Sequence, residues 1–118
     1  MTTRVFVYGT LMRGGLYHAL IAGGRYVGEA TTEAGYRLYD LGPYPALRRE
    51  GGGVVVGEIY DVDAVTLAEL DRLEGHPDYY RRERVRLADG CQVTTYLFVD
   101  EHELATAAVV SSGDWRRR

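Results

Sequence analysis

The sequence predicts a single α+β domain built on a small, mixed, strongly curved β-barrel with short flanking helices. Three observations lead there. Short β-branched and apolar runs recur between turn residues, helical spacing is confined to a few short segments, and most strands are joined by turns in irregular alternation with the helices. The 15 glycines supply the tight turns and bulges that strong curvature needs. At 118 residues the chain has the usual length of one domain with one core. No internal repeat or linker divides it, so residues 1–118 are assigned to one domain, with about 112–118 as a C-terminal tail.

The elements follow in order. Arg4–Tyr8 reads as a buried strand that stops at Gly9. Leu16–Ile21, between Gly14-Gly15 and Gly23-Gly24, has the composition of a short helix. Tyr36–Tyr39, Ala46–Arg48 and Val54–Val62 read as strands, separated by Gly42-Pro43 and by the Gly51-Gly52-Gly53 run. Asp63 is placed to N-cap a helix running to about Glu74, which Gly75 and then Pro77 terminate. Arg81–Leu87 and Cys91–Val99 make a hairpin around Asp89-Gly90, a dipeptide suited to a turn with positive φ. Asp100, with Glu103 three residues on, has the form of a capping box and opens a last helix to about Val110. Beyond Gly113, Trp115 is expected to cover part of the core, and Arg116–Arg118 to form a solvated terminus.

Composition removes whole classes of function. A net charge of -3 gives no electrostatic case for a nucleic-acid partner. The apolar stretch near the start, Val5–Tyr8, is shorter than a secretory signal or a membrane span requires. With one cysteine, Cys91, no intrachain disulfide can form, which suits a reducing compartment; the expected location is the cytoplasm. The sequence has no Lys and no Asn, so a Lys Schiff base, a Ser–Lys pair and a Cys–His–Asn triad are impossible. The only serines, Ser111 and Ser112, lie in no nucleophile motif. His18, His76 and His102 are far apart with no Cys cluster, so no metal site is expected.

Two constellations carry chemistry. On a helix through Asp63–Glu74, Leu67, Leu70 and Leu73 share one face, and Glu74, four residues past Leu70, falls inside that apolar stripe. A carboxylate there is drawn out of water, and its place in the last helical turn acts in the same direction, so its pKa should rise. Periodicity alone leaves two readings: a carboxylate kept for acid–base work, or one that bends round the helix end into solvent or pairs with an arginine such as Arg81. The second constellation is Tyr8-Gly9-Thr10-Leu11. A buried strand running straight into Gly-Thr-Leu leaves backbone N–H groups free to converge on an anion, and Gly9 lets a ligand approach closely. Turns of this kind are common, so the string alone names no ligand.

Taken together, these segments resemble the γ-glutamylcyclotransferase family, and most closely its short γ-glutamylamine cyclotransferase branch. The resemblance rests on Val5-Phe6-Val7-Tyr8-Gly9-Thr10-Leu11, Gly42-Pro43-Tyr44-Pro45-Ala46-Leu47, Val56-Gly57-Glu58-Ile59-Tyr60-Asp61-Val62, Leu70-Asp71-Arg72-Leu73-Glu74-Gly75 and Tyr80-Arg81-Arg82, in that order over residues 4–99. It implies a small mixed barrel with flanking helices. It also implies a cofactor-free reaction in which the α-amine of a γ-glutamyl group attacks its own γ-carbonyl, releasing 5-oxoproline and the amine or peptide once attached. On that resemblance Glu74 is the catalytic acid/base, Tyr8, Gly9, Thr10 and Leu11 form the ligand loop, and Tyr80 lies near the substrate. The rival reading is a non-catalytic module that binds γ-glutamyl compounds or small acids. The expected partner in either case is a small γ-glutamyl molecule; oligomeric state and leaving group are open.

The remaining residues carry bland and functional readings side by side. His76 is either an exposed loop residue or a proton relay, and Tyr44 either lines the pocket or packs a turn. Arg82, Arg84 and Arg86 alternate along a strand as a solvated edge would, though Arg81 or Arg82 could instead meet a substrate carboxylate. Cys91 reads as a small apolar filler, and His18 has no evident partner.

Overall fold

A computed structural model describes residues 2–118. Its elements are β1 (Thr2–Val7), β2 (Arg25–Thr31), β3 (Tyr36–Asp40), β4 (Pro45–Gly53), β5 (Val56–Asp63), α1 (Ala64–Glu74), β6 (Tyr80–Arg86), β7 (Gln92–Phe98), α2 (Glu101–Leu104) and β8 (Ala108–Val109). The mixed α+β class agrees with the expectation, but the strands do not close into a barrel. They form two open sheets, one of five strands in the order β2-β5-β1-β7-β6 and one of three in the order β4-β3-β8. In the larger sheet β1 and β7 run parallel and every other neighbour is antiparallel. Curvature comes instead from a bulge between Tyr26 and Gly28 and from β4 lying against β7, where the Arg48 guanidinium donates to the Phe98 carbonyl at 2.9 Å.

β1 is the middle strand, and the position explains its composition. Val5, Phe6 and Val7 are all buried, as a strand covered on both faces requires. β5 follows antiparallel beside it, Val7 opposite Glu58, and runs directly into α1. The caps of α1 are those its sequence calls for. The Asp63 carboxylate accepts the Thr66 N–H at 2.8 Å, and Gly75 takes a left-handed φ of 65° that a residue with a Cβ would resist. Leu70, fully buried, docks the helix on the core beside β1, β5 and β6.

Several expectations change. β2 was not foreseen. Leu16–Ile21 is not a helix but a loop with one 3-10 turn, His18–Leu20, and Leu16 stands 76% exposed. The glycine run 51–53 does not separate two strands; it belongs to the exposed end of β4. The last helix stops at Leu104, because the β-branched Val109 pairs with Tyr39 of β3 instead. Its capping box is incomplete: Asp100 accepts the His102 N–H at 2.9 Å, while the Glu103 carboxylate turns to Tyr79. Arg116–Arg118 are exposed, as expected of the terminus, but the segment is tethered to the domain. Trp115 is buried under the Arg118 guanidinium, and Arg116 pairs with Asp114 at 3.0 Å and Glu29 at 3.1 Å. Cys91 is exposed and fills no core position. Among the described residues, no helix is long and apolar enough to cross a membrane.

Candidate active site

β1 ends at Val7, and the chain turns out of the sheet through Tyr8, Gly9, Thr10 and Leu11. The last turn of α1 lies alongside, and a cavity of about 170 Å³ opens between them. Tyr8, Gly9, Thr10, Leu11, Glu74 and Tyr80 all line it, so the structure brings together every site residue expected from the sequence. Of the two readings of Tyr44 the pocket-lining one is observed, and the structure adds Tyr17, Tyr79 and Tyr96.

The turn is closed by its own backbone bonds. The Met12 N–H closes it onto the Gly9 carbonyl at 3.1 Å, and the Tyr17 N–H returns to the Thr10 carbonyl at 2.9 Å. The N–H groups of Gly9, Thr10 and Leu11 find no backbone acceptor among the described residues. His18, expected to have no partner, holds the Leu11 carbonyl through Nδ1 at 2.9 Å.

The walls are aromatic, and the hydroxyls of Tyr8, Tyr44, Tyr79, Tyr80 and Tyr96 are each committed to a protein partner. Tyr8 donates to the Tyr96 carbonyl at 2.6 Å, Tyr80 to the Pro45 carbonyl, and Tyr96 to the Asp71 carboxylate at 2.7 Å. Tyr79 donates to Glu103 at 2.8 Å, which leaves Tyr44 as donor in its 2.8 Å bond to the Tyr79 oxygen. Tyr44, Tyr79, Tyr80 and Phe98 stack edge-on, with centroids 4.9–6.4 Å apart. Burial raises the pKa of Tyr8, Tyr79, Tyr80 and Tyr96, with neighbouring carboxylates adding to it, so these groups stay neutral phenols and serve as neither bases nor anions.

Glu74 is different. It lines the cavity with no side-chain hydrogen bond to the protein, and burial alone pushes its carboxyl up to about 7. It forms no pair with Arg81 and lines the cavity, partly exposed, at the helix end. Of the groups lining the cavity, it alone is brought into the neutral range, where a carboxyl can both accept and return a proton. The remaining candidates stay outside. Arg82 sits behind the wall, 3.5 Å from Asp71, and Arg81 is exposed on the edge strand β6. His76 is half-buried, its Nδ1 accepting the Arg82 N–H at 3.0 Å, and it does not line the cavity. Among the described residues, no cluster of His, Cys, Asp and Glu is suited to a metal ion.

The same chain architecture and sequence recur in known proteins. The family model described as gamma-glutamyl cyclotransferase, AIG2-like, matches residues 5–117. A Vibrio cholerae relative is 42% identical over 114 residues, spanning 97% of this chain and 96% of its own. The Escherichia coli K12 gamma-glutamylcyclotransferase family protein YtfP is 32% identical over 98% of this chain and 97% of that protein. The crystal structure of c4763, from uropathogenic E. coli, superposes with a TM-score of 0.85 at 32% identity, covering 98% of this chain and 94% of that one.

Proposed function

The chain belongs to the gamma-glutamyl cyclotransferase, AIG2-like family, and from that premise we propose that it converts a γ-glutamyl amine or peptide into 5-oxoproline and the free amine. The observation that carries this reading is Glu74: one partly buried carboxyl, brought to about 7 by burial, facing a cavity beside an unpaired row of backbone N–H groups.

Ring closure is intramolecular, so the first task is to fold the glutamyl chain until its α-nitrogen meets the carbon of its own γ-carbonyl. The N–H groups of Gly9, Thr10 and Leu11 grip the α-carboxylate, and the tyrosine rings compress the methylene chain from the sides. Ionised Glu74 takes a proton from the α-ammonium, the freed electron pair forms the bond from N to the γ-carbonyl carbon (Cδ), and the carbonyl oxygen becomes an oxyanion. As that oxyanion collapses, protonated Glu74 gives its proton to the departing nitrogen and the old C–N bond breaks; Glu74 then takes the second proton from the ring nitrogen and passes it to the freed amine, which leaves as an ammonium. Neither a covalent nucleophile nor a cofactor enters the scheme.

Incubation of the protein with a panel of γ-glutamyl amines and γ-glutamyl dipeptides should release 5-oxoproline, measured by chromatography. Folded protein that is stabilised by these compounds but releases none would replace the enzyme with a binding module. The same assay fixes the pH dependence. The reaction begins with Glu74 ionised, so kcat/KM is expected to rise with pH through a limb near 7. A profile flat from about pH 5 to 8 would remove Glu74 as the base.

A further inference from the structure

Glu58 is a buried carboxylate that the proposed reaction does not use. It is 1% exposed, on β5 opposite Val7, the last paired residue of β1 before the ligand loop. Taking a charge out of water is costly unless strong partners meet it, and three donors do. Its Oε1 accepts the Arg13 backbone N–H at 2.9 Å and the Tyr60 hydroxyl at 3.0 Å; its Oε2 accepts the Arg13 Nε–H at 3.2 Å. The Arg116 guanidinium stands 3.9 Å away. Burial raises the pKa of Glu58, but these donors outweigh it and hold the carboxyl below its usual range.

The Arg13 N–H matters because of where it lies. The loop leaves the sheet at Tyr8 and turns at Gly9–Met12, and Arg13 is the first residue past the turn. A bond from Arg13 to β5 therefore fixes the far arm of the loop to the strand beside the near arm, with the turn stretched between two anchored points. We infer that Glu58 is a positioning residue: it sets the direction of the Gly9, Thr10 and Leu11 N–H groups by holding the Arg13 N–H on the sheet. The inference rests on the reading of that loop as the grip on a substrate α-carboxylate. A grip felt equally by bound substrate and transition state appears in KM rather than kcat.

Three variants test it. Glu58→Leu removes the acceptor and is expected to raise KM for a γ-glutamyl substrate by about tenfold or more, with kcat held within about threefold. Glu58→Gln keeps an oxygen for both Oε1 bonds and is expected to restore KM to within about threefold of wild type. Should Glu58→Leu not fold, Glu58→Asp keeps the charge but withdraws it by one methylene from Arg13, and is expected to raise KM by about threefold or more. Tyr60→Phe removes a Glu58 partner without touching the loop, and should leave KM unchanged. A carboxylate with a merely structural role would lower the melting temperature in these variants and leave KM, measured well below melting, where it was. Unchanged KM in the folded Leu or Asp variant, or an equal rise in Tyr60→Phe, overturns the inference. A wild-type protein that releases no 5-oxoproline fails the functional reading instead, so the two failures are told apart.

Discussion

Replacing Glu74 with glutamine is expected to lower kcat by at least about a hundredfold, the usual scale for losing a general acid–base group, while the variant still binds γ-glutamyl ligands. The amide keeps the shape of the side chain and of the cavity but can neither take the proton from the α-nitrogen nor return it to the leaving nitrogen. Turnover at wild-type rates would remove Glu74 from the mechanism. The same substitution carries a stability signature of opposite sign. The folded-state pKa of about 7 lies above the ordinary value of 4.5, so the native state binds this proton more tightly than the unfolded chain. Stability is therefore unaffected below about pH 4.5, falls as pH rises toward 7, and above that carries the full penalty, on the order of 3 kcal/mol. Glutamine never ionises. Its melting temperature should match wild type near pH 4 and exceed it near pH 8, a crossover that calorimetry at the two pH values would read directly. An enzyme less stable than its inactive variant is the expected mark of a carboxylate kept in an unfavourable place for use.

Gly9→Ala should be nearly as damaging, for a reason of space rather than φ. A Cβ on Gly9 would lie 2.5 Å from the Pro45 Cγ and 2.7 Å from its Cδ. Pro45 cannot yield: its ring is rigid, it pairs with Asp40 in the smaller sheet, and its carbonyl receives the Tyr80 hydroxyl. The loop must move instead, carrying the Thr10 and Leu11 N–H groups with it. Overpacking of this kind costs about 1–3 kcal/mol of stability, and misplacing a substrate by about 1 Å can cost a hundredfold in rate, so kcat/KM is expected to fall by about ten- to a hundredfold. Gly23→Ala, whose Cβ would meet nothing within 4 Å, is the control and should behave as wild type. Steady-state kinetics on both variants checks the pair; equal rates in Gly9→Ala would mean that the loop does not hold the substrate.

What the sequence made legible follows from how local each signal was. α1 and Glu74 were readable because everything that defines them lies within thirteen residues: the Asp63 cap, the Leu67, Leu70 and Leu73 stripe and the Gly75 stop. The hairpin of β6 and β7 was readable because Gly90, at φ 90°, announces its own turn. β2 was not, since an edge strand exposed along most of its length shows no alternation, and Gly28 breaks its register. Whether the strands close into a barrel depends on pairings between distant segments, which short apolar runs do not encode. Tyr17, Tyr79 and Tyr96 escaped for the same reason. Glu58 was within reach: it interrupts the apolar run Val54–Val62, and the test applied to Glu74, a carboxylate where water is absent, would have marked it as well.

The division of the cavity wall between loops and regular elements has a consequence for how such a protein diverges. The cavity is open to solvent, and Tyr17, 40% exposed, and Tyr44, partly buried, line it, so in the proposed reaction they are placed to meet whatever is attached to the glutamyl unit. Those two residues belong to loops, whereas Glu74 ends a helix and Tyr80 and Tyr96 stand on strands. Selection can then rewrite the mouth, by substitution or by lengthening a loop, without disturbing the chemistry behind it. Descendants of one such ancestor would keep the same inner chamber and differ in the molecules they unmask.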